Sequence, residues 1–194
     1  MMTAYHRASR GFTLLELLVT VTAGVVLLAL APPSFLELIR GVRLKSQMYD
    51  FNGALELARS EAVKRGTWVT LCKSANQTSC GTGGTQWENG WIVFVDKNNN
   101  QTVDVGEDAP LRTAGALVAG YTMRAPSAST LAGYITFNAK GVSSAGGQFV
   151  LCKDAQINPA RAVLVSLAGR ITTAALHNNV PVNADGTDMT TCTP

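Results

Sequence analysis

Residues 10–36 read Arg10-Gly11-Phe12-Thr13-Leu14-Leu15-Glu16-Leu17 followed by LVTVTAGVVLLALAPPSFL, and this stretch decides the fold. From Leu17 to Ala31 every residue is apolar, small or threonine. The run sits at the lower edge of a membrane span, and Leu14 and Leu15 lengthen it if Glu16 is tolerated. It is preceded by MMTAYHRASRG, which carries Arg7 and Arg10 and no acid. A short basic leader before an apolar run also opens a secretory signal peptide, but no small-residue cleavage pattern follows here; Pro32 and Pro33 come next and a helical pattern then resumes. An acid inside an apolar helix costs about 2.5–3.5 kcal/mol on insertion scales, so Glu16 asks for a partner or a function. A carboxylate that merely snorkels to the interface is the alternative.

Outward from this segment, the composition bounds the rest. The chain has 194 residues, 46% hydrophobic and 15% charged, which suits one packed domain with an appendage and excludes a wholly disordered chain. Only one stretch is apolar enough to enter a bilayer, so a multi-span protein is excluded as well. The net charge of +3 is uneven: without the first eleven residues, 14 basic side chains face 13 acidic ones. Net charge therefore implies no strongly basic surface.

Beyond the prolines, Leu44, Met48, Phe51, Leu55, Ala58 and Ala62 recur at steps of three and four, and the spacing predicts an amphipathic helix to about Lys64, with Arg43, Gln47, Asp50, Arg59 and Glu61 opposite. Residues 40–65 hold six basic and three acidic side chains, read as a solvated helix face in preference to a lipid-binding one, while residues 66–194 hold eight of each. After Gly66 the pattern turns from helical to alternating. Strands are predicted at 67–73, 90–95, 134–138, 148–153, 161–167 and 170–173, the last after an Ala168-Gly169 turn, with one or two weaker strands within 109–124. The expected fold is α+β: a long N-terminal helix, its first half membrane-inserted, packed on an antiparallel β head of two small sheets, with residues 176–191 as an extended tail.

The junction at Gly11-Phe12 with Glu16 in the following apolar helix resembles the class III leader of type IV pilins and type II secretion pseudopilins. The resemblance implies a leader at 1–11, a transmembrane and filament-core helix at 12–36, an amphipathic continuation at 37–65 and a globular head at 66–194. It also implies that prepilin peptidase cuts after Gly11, that the new Phe12 amine is methylated, and that Glu16 guides assembly. Pro33 would be the helix-loosening proline common in pilins. Physics agrees, since Glu16 can pair with a neighbour's cationic terminal amine in a low-dielectric filament core. Three inner stretches, Arg59-Ser60-Glu61-Ala62-Val63-Lys64-Arg65, Trp91-Ile92-Val93-Phe94-Val95-Asp96 and Val163-Leu164-Val165-Ser166-Leu167-Ala168-Gly169-Arg170-Ile171, resemble the H-type minor pseudopilins and the FimT and FimU type minor pilins.

Four cysteines, Cys72, Cys80, Cys152 and Cys192, form an even set in a head expected on the oxidising side of the inner membrane, and three pairings can be drawn. Polar turn formers between Cys72 and Cys80 make that closure the easiest, leaving Cys152 to hold Cys192 and pin the tail; a cysteine beside the C-terminus is also what the FimU-like resemblance implies. The spacings lack a CxxC, which argues against zinc. Asp96, Asn98, Asn100, Asp104 and Glu107 fall at oxygen positions of a calcium loop, yet Gln101 stands where such a loop needs glycine and a strand precedes it. A polar hairpin loop closed by Asx turns is the preferred reading, with no cofactor expected.

An enzyme is not expected. His6 lies in the leader and His177 in the tail, so a nucleophilic triad lacks a supported base, and no phosphate-binding glycine loop occurs. Trp68, Trp87 and Trp91 read as core or sheet residues, Trp87 being the one whose loop setting could expose it. The resemblance implies a minor pilin that initiates or supports pilus assembly near the tip, with other minor and major pilins, prepilin peptidase and the inner membrane as partners and the cell surface as destination. Two alternatives share its features: a type II secretion pseudopilin, and a FimT-like DNA-capturing pilin for natural transformation. The second relies on a Gly-Arg-x-Arg motif, and Gly169-Arg170-Ile171-Thr172 lacks the second arginine, leaving Arg170 the candidate contact. No Lys or Arg follows Arg170, while Asp185 and Asp188 repel phosphate.

Overall fold

A computed structural model describes residues 11–30, 32–82, 84, 86–106 and 108–193. Residues 1–10 of the expected leader 1–11 and the loop acid Glu107 lie outside the described residues. The chain forms two compact units, one ending at Arg40 and the other beginning at Gly41.

In the first unit, helix α1 spans Leu14–Leu30. At 1.5 Å per residue its 17 residues extend about 26 Å. Helix α2, Pro32–Arg65, follows. Ala31, between them, lies outside the described residues. Among the described residues no helix is long and apolar enough to cross a membrane.

The second unit is built on α2. Leu44, Met48, Phe51, Ala54, Leu55, Ala58 and Ala62 are all buried on one face of the helix, as the three-four spacing requires. They meet two antiparallel four-stranded sheets. The first joins β1 (Val69–Lys73), β2 (Trp91–Val95), β3 (Ala109–Ala114) and β5 (Tyr134–Phe137) in the order β3-β2-β1-β5. The second joins β4 (Tyr121–Arg124), β6 (Gly147–Lys153), β7 (Gln156–Val165) and β8 (Ile171–Thr173) in the order β4-β6-β7-β8. Val69, Leu71, Val93, Ile135 and Phe137 from one sheet and Phe149, Leu151, Val163 and Val165 from the other close on the helix in a single cluster. Phe51 lies at its centre, edge-on to Phe149 at 4.8 Å and to Trp87 at 5.6 Å, arrangements favoured by the ring quadrupole.

Each sheet also buries its outer face. Cys72, Ile92 and Phe94 form a second cluster behind the first sheet, with Cys80, Val103 and Tyr134 packed on it. Val150, Cys152, Ala160, Ala162, Ala174 and Met189 form a third behind the second sheet. This explains why β1 and β2 are buried at every residue where a one-sided sheet would alternate.

Two expectations are corrected. Strand β7 starts at Gln156, five residues before the predicted strand. It continues from β6 through Asp154 and Ala155, both in the left-handed region at φ 53° and 56°, a turn of the hairpin type without its usual Asn-Gly signal. The tail is also not simply extended: β9 (Leu176–His177) pairs with β10 (Val180–Pro181) in a hairpin, turned by Asn178 and Asn179 at positive φ. Met189 then hydrogen-bonds back to Pro181 O at 2.8 Å, which closes the tail over the third cluster.

Candidate functional site

Phe12 is 80% exposed and begins the approach to α1. The Thr13 hydroxyl accepts the Glu16 backbone N–H at 3.2 Å, and Thr13 O accepts from Leu17 at 3.1 Å. Thr13 therefore caps α1 and Glu16 sits in its first turn, the Thr-x-x-Glu spacing of a capping box. A carboxylate there faces the positive end of the helix dipole and four backbone N–H groups with no intrahelical partner. That partly offsets its cost in an apolar setting. Leu14, Leu15, Leu18, Val21, Val25 and Leu28 are exposed around the helix. The hydroxyls of Thr20 and Thr22 are turned back onto the carbonyls of Leu17 and Leu18 at 2.9 Å each. A helix apolar all round with its hydroxyls internally satisfied suits lipid or a bundle of like helices.

The structure bridges Cys72 to Cys80 and Cys152 to Cys192. Each bond ties a covering segment to the outer face of one sheet. In the first, the loop is also closed by Asn76 Oδ1, which accepts from the N–H groups of Thr78 and Ser79 at 3.0 Å. In the second, a separation of 40 residues brings the chain's end onto β6.

In the acidic loop, Asp96 is fully buried, and its carboxylate accepts from the Thr70 hydroxyl at 2.7 Å and from the N–H groups of Asn100 and Gln101 at 3.0 and 3.1 Å. Asp104 Oδ2 accepts from the side-chain amides of Asn98 and Asn100 at 2.8 and 2.7 Å. Asn99 and Gln101 take positive φ, 57° and 62°. The oxygens of Asp96 and Asp104 thus face N–H and O–H donors, an Asx-type closure. Among the described residues no group of three or more His, Cys, Asp and Glu side chains is arranged to hold a metal ion.

Arg170 is exposed on a tight turn in which its N–H donates to the Ser166 hydroxyl at 3.1 Å. Gly169 before it has φ 77°, and a Cβ there would lie 1.8 Å from Gly141 O, so only glycine fits. Arg59 of α2 donates from Nε to the same Gly141 carbonyl at 3.2 Å. Of the other head cations, Lys140 is exposed and adjoins Gly141, whose carbonyl lies against Gly169. Arg124 is paired with Glu88 and Lys153 with Asp154, while Arg161 is only 9% exposed. Burial pushes the Arg161 pKa down and the nearby Tyr49 phenol opposes this; a guanidinium stays charged through such a shift. His177 is held by Asp188 at 2.9 Å and approached by Asn178, with no nucleophilic hydroxyl among its partners. Sequence reading missed Thr70 and Glu88 as partners and the burial of Arg161. It also missed the Thr13 cap, for which the Thr-x-x-Glu spacing was the available signal.

An apolar N-terminal helix with an acid in its first turn, joined to a disulfide-closed head of one helix and two antiparallel sheets, defines a pilin-type subunit. The chain belongs to the family of the type II transport protein GspH, whose profile matches residues 48–169. The prokaryotic N-terminal methylation motif matches residues 6–32. Among curated protein sequences none matches the chain. In fold it is similar to the type IV minor pilin FimU of Pseudomonas aeruginosa, in two crystal forms. The first is 22% identical with TM-score 0.56 over 79% of this chain and 97% of that one. The second is 21% identical with TM-score 0.54 over 77% and 99%.

Proposed function

We propose that this chain is a minor pilin of a type IV pilus that initiates or supports assembly near the filament tip, and that it is not an enzyme. Prepilin peptidase cuts between Gly11 and Phe12 and the Phe12 amine is methylated. The subunit waits in the inner membrane with its head in the periplasm, then joins other minor and major pilins in the filament. The observation that carries this reading is the all-round apolar α1 with Glu16 in its first turn, directly after the Gly11-Phe12 junction. In a filament core the acid meets a neighbour's terminal amine away from water, where the attraction is strong enough to set the docking position. Mass spectrometry of the protein from sheared pili tests it: a chain beginning at methylated Phe12 is expected, and an intact leader or a cut beyond Ala31 refutes it.

The family match supports a second reading, a minor pseudopilin of type II secretion. The two share α1, the junction and the head. Which assembly machinery is encoded beside the gene, and which assembly loses the protein on its deletion, separates them. DNA capture has the exposed Arg170 in its favour and a neutral head against it.

A further inference from the structure

Among the described residues, three ionic side chains are buried in the head: Lys73, Asp96 and Arg161. Asp96 receives three hydrogen bonds. Among the described residues Arg161 has a single one, from Nη1 to the carbonyl of the preceding Ala160 at 2.6 Å, and no ion pair includes it. A guanidinium has five N–H donors in a planar fork shaped for a carboxylate. The remaining donors of Arg161 are not sealed in the core but line a pocket that can supply water and, among the described residues, no counter-ion, which leaves the fork open to a carboxylate arriving from outside.

The pocket is of a size and character to receive one. It has a volume of about 140 Å³ between the α2 face and β7–β8, and its wall joins Arg161 to Lys45, Tyr49, Met48, Ala174 and Leu176. Among the described residues no Asp or Glu lines it. Apolar wall atoms suit the methylenes of a short acidic side chain, and the cations suit its head. Among the lining residues, Tyr49 is 66% exposed and Leu176 42%. A largely buried arginine inside an exposed aromatic and aliphatic rim is the composition of an interface centre.

We propose that the Arg161 pocket is a carboxylate-binding site that receives an Asp or Glu side chain of a neighbouring subunit in the assembled filament, with Lys45 steering it at the rim. The occupant rests on the filament-subunit reading above; the site rests on the pocket itself. The docked carboxylate takes the guanidinium fork in two parallel hydrogen bonds, while Tyr49 and Leu176 pack on the neighbour and exclude water.

The test uses the full-length chain, comparing melting in detergent with recovery from sheared filaments. Arg161→Met should leave the melting temperature of the isolated protein unchanged or raised, since an unpaired buried charge is removed, and lower recovery in filaments about ten-fold or more. Lys45→Met changes an exposed residue outside the core and should also lower recovery, while Arg161→Lys should restore part of it. Recovery of Lys45→Met at the wild-type level, with Arg161→Met either assembling normally or failing to fold, overturns the proposal. Absence of the wild-type chain itself from filaments refutes the subunit reading and the occupant together, an outcome distinct from equal recovery of wild type and variants.

Discussion

The indole Nε1 of Trp87, a fully buried side chain, donates a 2.8 Å hydrogen bond to the carbonyl oxygen of Leu131. The bond joins the short helical turns Trp87–Asn89 and Thr130–Ala132, one before β2 and the other before β5. The ring also packs edge-on against Phe51 and Phe149, so one side chain links the helix, the second sheet and two connections. Trp87→Phe keeps most of the apolar area but orphans the Leu131 carbonyl, and should cost about 1–3 kcal/mol. Denaturant unfolding checks this; a loss within error would show that the carbonyl finds another donor.

The two disulfides should differ in weight. Loop-closure arithmetic gives about 2.5 kcal/mol for the eight-residue separation of Cys72–Cys80 and about 4 kcal/mol for the forty of Cys152–Cys192. Replacing Cys192 with Ser should in addition release the tail, seen as new proteolytic cutting after Thr173. A tail that stays protected would mean that Met189 and the β9–β10 hairpin hold it unaided.

Asp96 is expected to matter for stability and little for metal. Asp96→Ala removes three hydrogen bonds from buried or partly buried donors and should cost about 3 kcal/mol, Thr70 being partly compensated by Thr136 at 2.8 Å. Calcium in place of chelator should move the wild-type melting temperature by less than about 1 °C. A clear calcium-dependent rise, lost in Asp96→Ala, would reverse this reading and bring Glu107 in as a ligand.

Glu16→Ala should insert into the inner membrane as well as wild type or better, yet be depleted from sheared filaments. The substitution removes a charge that is costly in lipid and useful only when a neighbour's amine is near. Membrane fractionation beside filament blotting checks both halves; normal filament abundance would remove Glu16 from assembly.

DNA binding should be weak at physiological salt. Of the head's cations, Arg124 and Lys153 are paired within the protein and Arg161 is buried, which leaves few to neutralise phosphates. Binding at low salt should fall with a slope reporting only a few contacts. Submicromolar binding at physiological salt that vanishes in Arg170→Ala would promote the DNA-uptake reading.

The sequence by itself determined the class of this protein. Gly11-Phe12, Glu16 and the apolar run are read locally, because the chemistry of cleavage and the polarity of a helix depend on adjacent residues alone. The three-four spacing from Leu44 to Ala62 fixed which face of α2 is buried, and Ala168-Gly169 marked a turn that Gly169 must occupy. What local pattern could not reach was decided by contacts between distant residues. Asp154-Ala155 makes a hairpin without a strong turn signal because strand pairing on both sides supplies the energy that the left-handed backbone of Ala155 costs, whereas Asn178-Asn179 carries a residue type that tolerates that backbone. Trp87 is buried because Leu131 offers it a carbonyl and Phe51 a ring. Arg161 alternates on β7 with the buried Ala160 and Ala162 and reads as an ordinary surface residue of a two-faced strand. Only the packing of α2 against that strand buries most of it and leaves it facing a pocket.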